Sequence, residues 1–119
     1  MQRLSTALRI AFGSLYLMVT IPSFFLLLLL NAWSRTRRIY LTNRMGRVLS
    51  SHMLRIIGAK PVCKNRESLD SSGPAIYVAN HGSSLDVFVF GWTCRPGTCG
   101  IAKKEIIWAP FVGPIVWLS

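Results

Sequence analysis

From residue 10 to residue 33 the chain carries no charged side chain, and the stretch contains the run Phe24-Phe25-Leu26-Leu27-Leu28-Leu29-Leu30. At 1.5 Å of rise per residue a helix of that length reaches roughly 36 Å, enough to cross a hydrocarbon core with some tilt. The pattern predicts a transmembrane helix over residues 10–33, with Pro22 tolerated as a kink and Trp33 as an interfacial anchor. A cleaved signal peptide fits less well, because the apolar stretch is long and no small-residue cleavage site follows it.

The pattern then changes period. Leu41, Met45, Val48, Leu49, Met53, Ile56 and Ile57 recur at helical spacing, and Arg44, Arg47, Ser51 and Arg55 form an opposite polar stripe. This predicts a basic amphipathic helix over residues 36–58, closed by Gly58. It either lies on the membrane surface or packs on a soluble domain with its arginines solvated. His52 falls within it as a packing or interfacial residue. Residues 62–73 are polar and turn-like. Residues 75–79 form a short apolar run bounded by turn signals, the mark of a buried parallel strand. Leu85 to Trp92 starts well as a helix, 93–100 reads as a loop, and 100–102 as a second short strand. Residues 106–119 are apolar, broken by Pro110, Gly113 and Pro114. They suit an acyl-chain channel, a dip into the bilayer or plain core packing.

Charge narrows the partners. Fourteen Lys and Arg against four Asp and Glu give a net charge of +10, which suits nucleic acid, anionic membrane or anionic small substrates. A membrane segment and the lack of any groove-reading motif argue against nucleic acid. Few arginines precede the apolar stretch and many follow it closely, so the positive-inside bias places the C-terminal part on the cytoplasmic face. Three cysteines, Cys63, Cys94 and Cys99, suit a reducing compartment. The Cys94-x4-Cys99 spacing lacks a partner pair, so no metal site is expected.

The candidate chemistry lies in Asn80-His81-Gly82-Ser83-Ser84-Leu85-Asp86. Histidine is suited to take a proton near neutral pH, and a carboxylate can fix its tautomer. Residues five apart on one helix lie about 140° apart and would not meet. They can meet if His81 sits in a loop and Asp86 in the first turn of the next helix, with Ser83 or Ser84 as N-cap. A second reading stands beside this one: Ser83-x-x-Asp86 resembles a capping box, and Asp86 would then serve only the helix terminus. Neither serine lies in a G-x-S-x-G elbow, so a serine hydrolase is not indicated.

Asn80-His81-x4-Asp86 after an apolar strand, followed by Ala102-Lys103-Lys104-Glu105 and Ala109-Pro110-Phe111-Val112-Gly113, resembles the first blocks of the glycerolipid acyltransferases. Gly58-x-Lys60 and Glu67-x-Leu69 resemble the lead-in to those blocks. The nearest likeness is to members that acylate 1-acyl-glycerol-3-phosphate to phosphatidic acid. The resemblance implies an α/β acyltransferase domain over residues 60–119, preceded by the transmembrane and amphipathic helices. It implies transfer from acyl-CoA or acyl-carrier protein to a lysophospholipid hydroxyl, with no cofactor. His81 would be the general base and Asp86 its orienting partner, supported by Asn80, Ser83 and Ser84. Lys103 and Lys104 would meet phosphates, or else form a solvated basic pair. The family's later Gly-x-x-Phe-x-Asp-Arg and Glu-Gly-Thr-Arg blocks do not occur in these 119 residues. The chain is therefore expected to be an N-terminal fragment, too short for a whole domain and inactive by itself. Glycerol-3-phosphate or another lysolipid are alternative acceptors, and a non-catalytic, membrane-anchored lipid-binding protein is the alternative of another class.

Overall fold

A computed structural model describes residues 2–69, 73–108 and 113–118. Two long helices dominate: α1 (Gln2–Leu29) and α2 (Arg35–Ile57). Helix α1 starts earlier and ends sooner than the uncharged stretch, because Arg3 and Arg9 are good helix formers and do not interrupt it. Pro22 lies within α1 without ending it. Nearby, the Thr20 and Ser23 hydroxyls donate to the carbonyls of Tyr16 and Val19. A turn over residues 30–34 follows. Ser34 then caps α2, its hydroxyl accepting the Arg37 amide at 3.3 Å.

Helix α2 runs back antiparallel along α1. Near the start of α1, the Arg9 guanidinium donates to the Ile57 carbonyl at 2.9 Å. A turn further on, Gly13 faces Met53 and Ile56. Tyr16 and His52 share a hydrogen bond of 2.7 Å between the phenol oxygen and Nδ1, so His52 is an interhelical packing residue. At the far end Phe24 and Leu28 are buried with Leu41 and Met45 packed against them. Gly58 ends α2 in the left-handed conformation (φ 85°), its amide reaching back to the Leu54 and Arg55 carbonyls.

The rest of the chain is built from short pieces: α3 (Arg66–Leu69), α4 (Asp86–Thr93), a 3₁₀ turn (Lys104–Trp108) and α5 (Gly113–Leu118). Helix α4 packs on α2, and α5 on α1. Leu118 is buried with Phe24 and Leu28, and Ile115 packs beside them. Of the roles open to the C-terminal apolar stretch, these two residues take core packing. Trp108 and Trp117 stay exposed, and the block 109–112 lies outside the described residues.

The α/β architecture does not appear among the described residues, whose regular structure is helical. Residues 75–79 and 100–102 have no regular structure. A strand exists through the hydrogen bonds of a neighbour, and no strand lies beside either segment here. Ile76 and Val78 are accordingly 92% and 90% exposed, which marks side chains that pack against nothing within this part of the fold.

Candidate active site

The site grows from the loop into α4. Asp86 is the first residue of that helix, and a single oxygen, Oδ2, gathers three donors. The Gly82 and Ser83 amides reach it at 2.9 and 2.8 Å, and His81 Nδ1 at 3.2 Å. A carboxylate at the helix N-terminus also meets the positive end of the helix dipole. The Ser83 amide holds the Asp86 carboxyl below its ordinary value of 3.8, with His81 and the Gly82 amide acting in the same direction and desolvation opposing them. Asp86 is therefore an anion at neutral pH. As an acceptor it requires the proton on His81 Nδ1, which leaves the Nε2 lone pair free. The His81 side chain is 57% exposed and that of Asp86 28%, so the imidazole faces outward while the carboxylate is tucked behind it.

The two sequence readings of Asp86 describe one arrangement. The oxygen that ties down the loop amides is also the oxygen that meets the imidazole. The expected serine N-cap is not seen. Leu85 takes the capping position without a side-chain bond, and the Ser83 hydroxyl accepts the Leu85 amide at 3.2 Å. The Asp86 carboxylate accepts the Gly82 and Ser83 amides, so the serine and aspartate bonds coexist in the loop. Asn80 and Ser84 are exposed, and neither hydrogen-bonds to the His81–Asp86 pair.

Residues outside the site expected from the sequence fix α4 in place. Phe90 lies one turn beyond Asp86 on the same helix face. Its ring meets the His81 imidazole edge to face, with centroids 6.0 Å apart. Gly91 lies against Ser50 and Gly46 of α2. A Cβ at that position would come within 2.2 Å of Ser50 Oγ. The small pair Gly46-x3-Ser50 was the available sequence signal for this crossing. Arg47 donates to the Cys94 carbonyl at the end of α4, and Asn43 Nδ2 to the Thr98 carbonyl at 3.0 Å. The basic stripe, expected to face the membrane surface or solvent, is thus split, with Arg47 turned toward α4 and half-buried, and Arg44 and Arg55 exposed. Arg66 stacks over Trp92 at 5.7 Å, and Tyr77 OH donates to the Leu69 carbonyl at 3.0 Å, tying the site's lead-in to α3. Lys103 and Lys104 are exposed at the start of the 3₁₀ turn, and neither bonds to the pair.

Among the described residues, the loop histidine is hydrogen-bonded to the buttressed carboxylate and to no nucleophilic side chain. Residues 60–119 match the family described as Acyltransferase, and the chain belongs to that family. Its relatives include proteins named 1-acyl-sn-glycerol-3-phosphate acyltransferase from three sources. That of Limnanthes douglasii is 38% identical over 69% of this chain and 28% of its own length. That of Cocos nucifera is 36% identical over 96% of this chain and 36% of its own. That of Escherichia coli is 34% identical over 54% of this chain and 26% of its own. The chain thus spans about a third of the length of these relatives. No solved structure is a significant match.

Proposed function

We propose that the chain supplies the proton-handling part of an enzyme that acylates 1-acyl-glycerol-3-phosphate to phosphatidic acid in phospholipid biosynthesis. The acyl donor is the thioester of acyl-CoA or acyl-carrier protein. The observation that carries this is the hydrogen-bonded His81–Asp86 pair within the segment that matches the acyltransferases.

In this reading His81 Nε2 accepts the proton of the acceptor's free hydroxyl as its oxygen attacks the thioester carbonyl. Asp86 keeps the proton on Nδ1 and stabilises the imidazolium as it forms. The tetrahedral intermediate then collapses, the C–S bond breaks, and the departing thiolate takes the proton from the imidazolium. Placement of such a base is worth about 10²–10⁴-fold in rate. Lys103 and Lys104 are exposed cations and are assigned to acceptor or donor phosphates. Residues 75–79 and 100–102 are assigned to the parallel sheet of a complete α/β domain, which would cover Ile76 and Val78.

The same reading places α1 in the bilayer. Only 17% of its apolar window is buried, unlike the core helix of a soluble protein. A spanning α1 with the domain on the cytoplasmic face is one arrangement. The antiparallel α2 favours a second, in which the hairpin lies along the headgroup region of one face, because full spanning would take Arg44 and Arg47 into hydrocarbon beside α1 and an interfacial hairpin keeps the arginines of α2 at the headgroups. Labelling of a cysteine placed at Ser5 from each side of the membrane separates the two.

The decisive experiment is His81→Ala in the intact protein. Acyl transfer to 1-acyl-glycerol-3-phosphate should fall by at least a hundredfold while membrane association persists. Unchanged transfer sinks the assignment of the base. No transfer by the intact wild-type protein, with lipid binding intact, supports the non-catalytic alternative.

A further inference from the structure

Where the two ends of the hairpin meet, Leu8, Arg9 and Phe12 of α1 and Arg55 and Ile56 of α2 line a groove of ≈ 530 Å³. It lies outside the His81 site, and its walls are mainly apolar with two guanidinium groups. Leu8 and Phe12 are each 62% exposed, so the apolar wall faces outward. Arg9 uses one nitrogen on the Ile57 carbonyl. The Arg55 guanidinium is exposed and forms no hydrogen bond or ion pair among the described residues.

Three observations fix the chemistry of what would occupy this groove. No Asp or Glu precedes Glu67 in the chain, so neither helix of the hairpin can supply a counter-charge. Arg9 is the last charge before the uncharged residues 10–33, which sets it at the boundary between hydrocarbon and headgroups, where lipid phosphates lie. The wall beside it, Leu8, Phe12 and Ile56, is apolar. An anion continuous with an acyl chain meets all three conditions. Arginine binds phosphate oxygens with charge-assisted hydrogen bonds.

The geometry points to a binding site for an anionic phospholipid, its phosphodiester held between Arg9 and Arg55 and one acyl chain lying along Leu8, Phe12 and Ile56. The inference rests on the placement of α1 in the bilayer. The site lies at the N-terminal end of α1, and it anchors the hairpin end from which the chain leaves α2 for the catalytic segment.

The test uses the intact protein in detergent micelles, titrated with phosphatidylglycerol or phosphatidylcholine, with bound lipid counted by native mass spectrometry. Phosphatidylglycerol should be retained in preference to phosphatidylcholine. Arg55→Gln should weaken retention about fivefold, one basic side chain's share of headgroup attraction, while Arg44→Gln on the same helix leaves it unchanged. Arg9→Lys keeps the charge and the helix-end donor, and should retain the lipid even if Arg9→Gln fails to fold. Wild-type retention by Arg55→Gln overturns the site, and so does equal loss in Arg44→Gln, which would mean diffuse charge. Displacement of the lipid by millimolar inorganic phosphate would show that the chain contacts contribute nothing, and also overturns it. Failure to associate with vesicles would instead refute the bilayer placement, which the micelle titration does not test.

Discussion

Replacing Gly91 by alanine adds one methyl group where α4 crosses α2. The new Cβ would sit 2.2 Å from Ser50 Oγ, 3.2 Å from Ser50 Cβ and 3.3 Å from the Gly46 carbonyl oxygen. The hydroxyl can swing away, but Ser50 Cβ and the Gly46 oxygen move only with the α2 backbone. Ser50 is 4% exposed, so the crossing has no slack toward solvent. Overpacking of this kind costs about 1–3 kcal/mol, offset by about 1 kcal/mol of improved helix propensity. The net expectation is a destabilisation of about 1 kcal/mol. Ser50→Gly removes two of the three contacts, and in that background the propensity gain should win. Gly91→Ala should then stabilise the protein by up to about 1 kcal/mol. The assay is the unfolding midpoint of the wild type, both single variants and the double variant in detergent, with acyl transfer followed in parallel. Activity should fall in Gly91→Ala, since α4 carries Asp86, and recover in the double variant. The same sign of Gly91→Ala in both backgrounds would refute the reasoning.

Two further outcomes concern the pair itself. The Asp86 carboxyl is depressed in the folded protein by the Ser83 amide and His81. Its contribution to loop closure is therefore complete above 3.8 and lost as the pH falls through its lower folded value. Exchange of the Gly82 and Ser83 amides should show this acid transition, and Asp86→Asn should abolish it while lowering kcat through loss of the charge on Nδ1. Phe90→Ala removes the ring against the imidazole and should lower kcat several-fold, with KM nearly unchanged and the pH profile of kcat/KM displaced. An unaltered profile with a lower melting point would reduce Phe90 to a packing residue.

What could be read from the sequence was what is local. An uncharged run long enough for a bilayer and a 3.6-residue stripe were sufficient for α1 and α2, because both depend on neighbours three and four residues away. The loop between His81 and Asp86 was legible for the same reason, since five residues ending in a helix start allow the pair to meet. Contacts between distant residues were not legible. That Gly91 meets Ser50, or that Arg47 turns from the solvated stripe to the Cys94 carbonyl, depends on which face α2 offers to α4. The apolar run at 75–79 was read as a strand from its own composition, but a strand is completed by hydrogen bonds to another segment, and none of the described residues provides them. The serine N-cap was not realised because α4 starts only at Asp86, and the Ser83 hydroxyl accepts the Leu85 amide ahead of the helix.

On the proposed placement of α1 in the bilayer, helix α2 is the element that relates the site to the membrane. One part of its surface receives α1, with Met53 and Ile56 against Gly13 and His52 on Tyr16. Another receives α4, with Gly46 and Ser50 against Gly91. The α1 contact runs along α2 from Leu41 and Met45 to Ile56 and brackets the α4 contact, so the three helices move as one body. With α1 in the bilayer, that rigidity holds the His81 imidazole at a set height above the lipid. This suits a base whose acceptor hydroxyl belongs to a lipid, because a glycerol hydroxyl stays close to the headgroup plane and the protein must come to it. A flexible tether in place of α2 would keep the base and the anchor but lose that register. Insertion of one residue between Ser50 and Met53 would rotate the two contact faces by about 100° relative to each other. Acyl transfer should then collapse while membrane association persists, whereas a tether-like α2 would tolerate the insertion.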